Sequence, residues 1–538
     1  MDRRTLCTVV AILLLSIFSC ARDGANNAIA ADGPSFNEAF RFLEQATFGP
    51  TPELLMHVQE VGFEAFLDEQ FSMPITDYPA LEEIWPPQPP PDCTGTCIRD
   101  NYTMYPLQKI FYQNALTAPD QLRQRVFFAL DQILVTSAQN PNLRLPSRMT
   151  YYLRTLMEGA FGNFSDLLYN VTLNPSMGRY LDMVDSRRAN PNENYAREIL
   201  QLFSVGLSEL NPDGTLKLDQ AGNPIPTYDQ DTIVAFARAF TGWVFAPPPN
   251  TGVVNYRDPL APNQTLHDTN PKVLLYGVTL PEGQTAEDDL NQALDNIFNH
   301  SNVGPFIGKR LIQHLVTSNP SPDYVARVSA AFNDNGAGVR GDLPAVVAAI
   351  LLDPEARNEA PYENFGKLRE PVLAVTSLLR NFGTTEATTD FVLGESYMPA
   401  SLRMDEDVFL SPTVFNFYSS EYVVPGETVI GPEFGIQSTS TSLARINLFY
   451  NLVYHLLPIS ADRPTGTWID LPLLEEVAGD PPVLVDALNY HMLHETMTDA
   501  MREIIIDAVS GISPADLLGR ARLAVYLVAT SSLYQVQR

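Results

Sequence analysis

Asn190-Pro-Asn-Glu-Asn-Tyr-Ala-Arg-Glu-Ile-Leu-Gln-Leu-Phe-Ser-Val-Gly-Leu207 is the segment from which the fold is read. Asn190 suits a helix N-cap, Pro191 the first helical position, and Glu193 the place from which a capping-box carboxylate reaches back. Tyr195, Ile199, Leu202 and Phe203 then fall on one face, the face a helix buries. Glu193 and Arg197 are one turn apart, as are Asn194 and Glu198, so each pair shares a side. A capped helix accounts for most of this pattern but not for its density, because a cap needs no Asn194, Arg197 and Glu198 besides. Glu193, Arg197 and Glu198 are therefore candidate catalytic groups, in a cleft with Asp182, Asp185, Asn194 and Trp243 as ligand-binding residues. Paired carboxylates there can do acid–base work on a sugar or bind a divalent cation.

Outward from this segment the periodicity stays helical, and the fold class expected is mainly α, multi-helical, with long Pro-rich loops and a small β-hairpin. Ser35 with Glu38 reads as a capping box, with Phe36, Phe40 and Leu43 on one face. Thr51-Pro52 opens another helix, and Leu107–Leu116 and Asp120–Val135 form a helical pair in which Arg123 and Arg125 interrupt an apolar run. Residues 208–230 carry turn sequences, Asn211-Pro-Asp-Gly214 and Gln220-Ala-Gly-Asn-Pro224, that flank the hairpin. The expected division is an N-terminal helical subdomain over 35–245 and a Pro-rich insertion over 246–284 with strand character near Lys272–Val278. A second helical subdomain (285–382), an irregular segment (383–440) and C-terminal helices (441–538) follow. Loops of this length are uncommon without a function.

The start of the chain reads as an address. Arg3 and Arg4 precede a short apolar run from Leu6 to Phe18, and Ile17-Phe-Ser-Cys20 has the small residues of a cleavage site. Residues 1–19 are expected to be a signal peptide, Cys20 a lipidation site, and 20–34 a tether. The apolar run is too short to span a membrane as a helix, so membrane contact is expected only through a lipid anchor. Formal charge is −29 over 538 residues, which repels DNA, RNA and anionic lipid and excludes nucleic acid as a partner class. Beyond Cys20 the only cysteines are Cys93 and Cys97, too few for a structural zinc site and wrongly spaced for a Cys-x-x-Cys redox motif. A local disulfide between them fits an exported chain.

Six segments carry a family resemblance. They are Phe42-Leu-Glu-Gln-Ala-Thr-Phe-Gly-Pro-Thr51, Gln121-Leu-Arg-Gln-Arg-Val-Phe-Phe-Ala-Leu130, Asn192-Glu-Asn-Tyr-Ala-Arg-Glu198, Ala237-Arg-Ala-Phe-Thr-Gly-Trp243, Gly366-Lys-Leu-Arg-Glu-Pro371 and Ser411-Pro-Thr-Val-Phe-Asn-Phe417. In this order the chain resembles the bacterial family known as domain of unknown function 1800 over nearly its whole mature length. The resemblance implies an exported bacterial protein and brings no assigned catalytic residues. Tyr180-Leu-Asp-Met-Val-Asp185 departs from the Asn-rich version expected at that place.

Other motifs carry less chemistry. His491-x-x-His494-Glu495 lacks the His-Glu-x-x-His order of a zinc hydrolase, and a helix is expected to end there with Thr498 capping the next. Gly304-Pro-Phe-Ile-Gly-Lys-Arg310 is one residue short of a P-loop and has no Ser or Thr for magnesium; Arg310 and His314 are expected to pair with acids. The Asp/Asn-rich stretch 211–231 can offer oxygen ligands to calcium but lacks EF-hand spacing, so calcium is the one cofactor considered and no metal ligands are assigned. Trp85, Trp243, Tyr256, Phe415, Phe417 and Tyr418 offer stacking surfaces. The expected function is an envelope protein that binds or processes an extracellular polymer, most plausibly polysaccharide. The alternative is a non-catalytic scaffold for another exported protein.

Overall fold

The computed structural model describes residues 33–248, 252–358, 362–383, 403–457 and 468–538, so the expected signal peptide 1–19, Cys20, the expected tether as far as residue 32 and residues 384–402 lie outside the described residues. Among these the chain is mainly α, with 23 helices and three two-stranded antiparallel pairs. Local chemistry sets the helix starts. Ser35 accepts from the Glu38 amide while the Glu38 carboxylate takes the Ser35 amide, closing the expected capping box on Phe36–Ala46. Thr51 caps Pro52–Val61, Asp229 caps Gln230–Ala239 and Thr498 caps Asp499–Ser510, each through its side-chain oxygen. Helices Tyr105–Thr117 and Gln121–Ile133 form the expected pair, and Arg125 in the second is wholly buried.

One apolar core runs continuously from Phe36 in the first described helix to Tyr534 in the last. The first described helix meets the last strand. Lys367–Leu368 pairs antiparallel with Val536–Gln537, Phe36 stacks on Tyr490, and Arg369 forms an ion pair with Glu44. Helices Val303–Leu315 and Pro322–Asn333 pack closely because Gly304 and Gly308 lie against Ser329 and Val328, where an added Cβ would sit 3.0 Å from a side-chain atom. The glycines that mimic a P-loop therefore serve helix packing.

Two irregular regions decide what surrounds the core. Residues 207–227 form a meander of three short limbs rather than the single hairpin expected. Its bridges pair Ser208 with Pro226, Leu210 with Leu216 and Leu218 with Pro224, and Gly214 and Gly222 turn the chain with positive φ. Lys272–Val273 pairs with Thr279–Leu280, the strand character expected there. Residues 403–437 form a strap with only the 3₁₀ turn Pro432–Ile436, crossing helices Gln121–Ile133, Val303–Leu315 and Pro371–Phe382. No helix among the described residues is long and apolar enough to cross a membrane.

Candidate functional site

The helix that carries the motif runs from Asn194 to Gln201, starting three residues later than its sequence suggests. Asn192 is the reason: its Oδ1 accepts from the Asn194 amide at 2.9 Å and its own amide donates to Ser186 Oγ at 3.0 Å. This short-range turn takes the place of an Asn190 cap, and Asn190 instead bridges back to Arg187. Glu193 does not reach back to cap. Its Oε2 accepts from Arg197 Nη2 at 2.8 Å, one turn ahead, and from Gln230 Nε2 at 2.9 Å. Tyr195, Ile199 and Phe203 are buried as expected, with Tyr195 donating to Thr172 Oγ1, while Leu202 is half-buried at the helix end.

Glu198 stands apart from the other acids of the motif. It is half-buried beside Arg197, and its Oε2 is shielded from solvent with no hydrogen-bond partner. Burial raises its carboxyl above the ordinary value, against the pull of Arg197. Two phenols border it. Burial, together with the Glu198 charge, pushes Tyr180 up to about 12. Tyr228 is also pushed to about 12, by burial with Arg197 opposing and Glu198 adding, and its hydroxyl is shielded and partnerless. One turn before Glu198, Asn194 Nδ2 donates to Asp182 Oδ2 at 3.0 Å. The result is a carboxyl raised by burial, one helical turn from the asparagine that binds an exposed carboxylate.

Asp182 and Asp185 have φ of 56° and 67°, left-handed conformations that side chains other than Gly, Asn and Asp rarely adopt. A second motif holds them there. The Asp185 amide donates to Trp243 O at 3.1 Å, and the Gly242 amide to Ser186 O at 2.9 Å. Gly242 has φ +87° and a Cβ on it would lie 2.9 Å from His267 Cβ, so only glycine fits the corner. His267 faces Thr241 O through Nδ1 at 2.8 Å and Asp289 through Nε2 at 3.0 Å, all buried, while Arg238 pairs with Asp268 at 2.8 Å. Ala237–Trp243 is thus a brace for the aspartate loop. Trp243 itself is 2% exposed, so it offers no open stacking face; its Nε1 is shielded without a partner. Past it the chain lines a cavity of about 570 Å³, walled by Val244–Pro248, Val253–Asn255 and Ala261–Gln264. Arg179, 3.8 Å from Asp185, lies over the Phe245 ring and joins this wall to the aspartate loop.

Of the other aromatic candidates, Trp85 and Phe415 are exposed and Phe417 is half-buried, whereas Tyr256 and Tyr418 are buried. Tyr256 lies beneath Arg148, and Tyr418 donates to Gln132 Oε1 at 3.1 Å. Asp213, Asp219 and Asp229 each accept from backbone amides within four residues, fastening their own turns. His491 and His494 lie at a helix end and are pushed down by burial to about 4 and about 3; His494 faces Glu44 at 3.3 Å. Arg310 pairs with Glu421 at 2.9 Å, while His314 is buried among charges and pushed down to about 3. Among the described residues no group of three or more His, Cys, Asp or Glu side chains is arranged to hold a metal ion. Cys93 and Cys97 form a disulfide, Cα atoms 5.2 Å apart.

A second concentration of charge escaped sequence reasoning. Lys367 Nζ lies 2.9 Å from Glu370 Oε1, 3.0 Å from Glu433 Oε1 and 2.9 Å from His314 O, with every partner buried. Gln132 Nε2 donates to Glu370 Oε2 at 2.8 Å, and Asn416 Nδ2 to Gln132 Oε1 at 2.8 Å. Arg125 donates to the same His314 carbonyl. Three of the six quoted segments, 121–130, 366–371 and 411–417, meet at this point. The signal available was Lys367, Arg369 and Glu370 crowded into four residues ahead of a helix-opening Pro371, and Arg125 inside an apolar stripe.

A family model described as "Protein of unknown function (DUF1800)" matches residues 41–536. Neither the curated proteins nor the solved structures contain a match to the chain.

Proposed function

The chain belongs to the DUF1800 family, and we propose that this member is an exported, lipid-anchored envelope protein that binds or processes extracellular polysaccharide at the Glu198 cleft. One observation carries the reading: a half-buried carboxyl with a partnerless oxygen, raised by burial and bordered by two phenols beside an ordered aspartate loop. A structural carboxylate is normally hydrogen-bonded, and leaving an oxygen unmade costs stability that a catalytic role explains. Glu198 would donate the proton to a leaving oxygen, Asp182 would face the other side of the scissile bond, and Arg197 would keep Glu193 and Glu198 in register. Strong negative charge favours a neutral glycan over an anionic one. Export is supported by the leader-like start, with Cys20 as the anchor, and by a disulfide, which persists in oxidising compartments.

Thermal unfolding of residues 21–538 against a panel of neutral glycans, with calcium and chelator arms, tests the reading. A glycan at a hundred times its dissociation constant adds about 2.7 kcal/mol if it binds only the folded state. The expected result is a glycan-dependent rise that Glu198→Gln abolishes; a flat response to every glycan would overturn it.

The scaffold alternative has one observation in its favour. Leu216 and Leu218, 48% and 55% exposed, share a meander face with the exposed Pro224. Under that reading a stoichiometric partner co-purifies from native membranes and Leu218→Glu releases it. Recovery of the monomer alone at low salt would count against it.

A further inference from the structure

The corner Thr241-Gly242-Trp243 rests on three sealed side chains. They are His267, from the loop after strand Ala261–Pro262, Lys272 of strand Lys272–Val273, and Asp289 of helix Ala286–Phe298. None of the three side chains has any exposure to solvent. Their hydrogen bonds can be counted atom by atom. His267 Nδ1 lies 2.8 Å from Thr241 O, a carbonyl that can only accept, so Nδ1 carries a hydrogen. Nε2 lies 3.0 Å from Asp289 Oδ2. The Lys272 ammonium meets that same oxygen and the carbonyls of Asp268 and Asn270, one acceptor for each of its hydrogens. The Thr241 hydroxyl is committed elsewhere: it donates to Arg238 O at 2.7 Å and accepts from the Asp268 amide at 2.9 Å.

A neutral imidazole has one N–H and one lone pair, and here Nδ1 holds the N–H. The lone pair of Nε2 would then point at a carboxylate oxygen, acceptor against acceptor, with no water to intervene. A proton therefore lies between Nε2 and Oδ2. The ammonium on the same oxygen favours the ionised carboxylate, which leaves the proton on the ring. Thr241 also lies just past the C-terminal end of helix Gln230–Ala239, where the peptide dipoles favour a cation. Two cations thus share one carboxylate, with the pair Arg238–Asp268 alongside. Three backbone carbonyls offset the excess charge, and every N–H of His267 and Lys272 has an acceptor. Asp289 Oδ1 has no hydrogen-bond partner, so these two cations alone hold the anion.

We propose that His267 is a charged positioning residue: an imidazolium at neutral pH whose two N–H groups tie the Thr241 carbonyl to the Asp289 carboxylate and so hold the corner that carries the aspartate loop. The link to the loop is short. Gly242, next in the chain, donates to Ser186 O, and Trp243 O accepts from the Asp185 amide. The consequence for the Glu198 cleft rests on the function proposed above; the charge of His267 does not.

Nitrogen NMR of residues 21–538 labelled with ring-¹⁵N histidine tests this at pH 7. Of the seven histidines, burial pushes His300 and His491 down to about 4 and His314 and His494 to about 3, so these four are neutral. His57 and His455 reach solvent and exchange their ring protons with it. One histidine should therefore show two protonated ring nitrogens with both N–H protons protected from exchange. Asp289→Asn should convert that signal, and no other, to a neutral ring with a single N–H, because the carboxamide can donate to Nε2. The same variant should speed exchange of the Asp185 amide by about tenfold, the effect of losing a hydrogen bond to a charged group.

A neutral His267 in wild type would overturn the proposal, as would a doubly protonated ring that persists in Asp289→Asn. Unchanged exchange at Asp185 would overturn the positioning role. If Asp289→Asn does not fold, the wild-type spectrum decides. No glycan enters these measurements, so their failure and that of the glycan reading are told apart.

Discussion

The cleft around Glu198 and the cluster around Lys367 are built from the same kinds of side chain, and burial separates what they do. At Lys367 the ammonium and its two carboxylates are buried together: three contacts at 2.9 to 3.0 Å satisfy the ammonium, and Gln132 and Asn416 extend the network, while Arg125 keeps two buried guanidinium nitrogens without a partner. At Glu198 the acids are half-exposed, the ion pair Glu193–Arg197 lies at the surface, and one carboxyl oxygen and one phenol have no partner. Completed networks rigidify a fold. Incomplete ones leave a group free to act on something else. The comparison teaches that density of charged residues in the sequence marks both, and only burial of the ion pairs tells them apart.

The largest effect is expected at the sealed cluster. Lys367→Met leaves Glu370 and Glu433 buried without their cation and should cost about 3–5 kcal/mol in denaturant unfolding. A loss under 1 kcal/mol would mean that the cluster is hydrated and the contrast with the cleft is false. Next comes the brace: Gly242→Ala puts a Cβ 2.9 Å from His267 at φ +87° and should cost about 2 kcal/mol. It should also abolish the glycan response, because Asp185 hangs on Trp243 O. The Cys93–Cys97 disulfide closes so small a loop that reducing it should cost at most about 2 kcal/mol, seen as a modest Tm decrease with the glycan response intact. Smallest is Arg197→Ala, an exposed i,i+4 pair worth about 0.5 kcal/mol or less in unfolding.

What the sequence could tell depended on how far each residue's partners lie along the chain. Ser35 with Glu38 and Thr51 with Leu54 were legible because a cap and its amide are three residues apart. Asn190 was misread for a related reason: two candidate caps competed, and the Asx turn of Asn192 won through Ser186, in the preceding loop. The meander was read as one hairpin because both turns were visible but the shared middle limb was not. Trp243 reads as an open aromatic in a loop; the strand it pairs with, Ala261–Pro262, arrives from the insertion. Lys367 carries no chemistry that its neighbours in sequence reveal, since its partner Glu433 lies 66 residues on, in the strap. Glu198 was singled out, while its neighbours Tyr180 and Tyr228 were not, because no spacing rule links three separate segments.

The most direct test of this account is the unfolding of Glu198→Gln against wild type from pH 4 to 8, paired with the glycan response. A carboxyl raised on folding weakens the fold as pH climbs past its ordinary value, so removing it should leave Tm at pH 7 equal to or above wild type. That difference should vanish near pH 4, where both side chains are uncharged, and the glycan response should be gone throughout. A lower Tm at pH 7 with the glycan response retained would make Glu198 a structural residue and contradict the account.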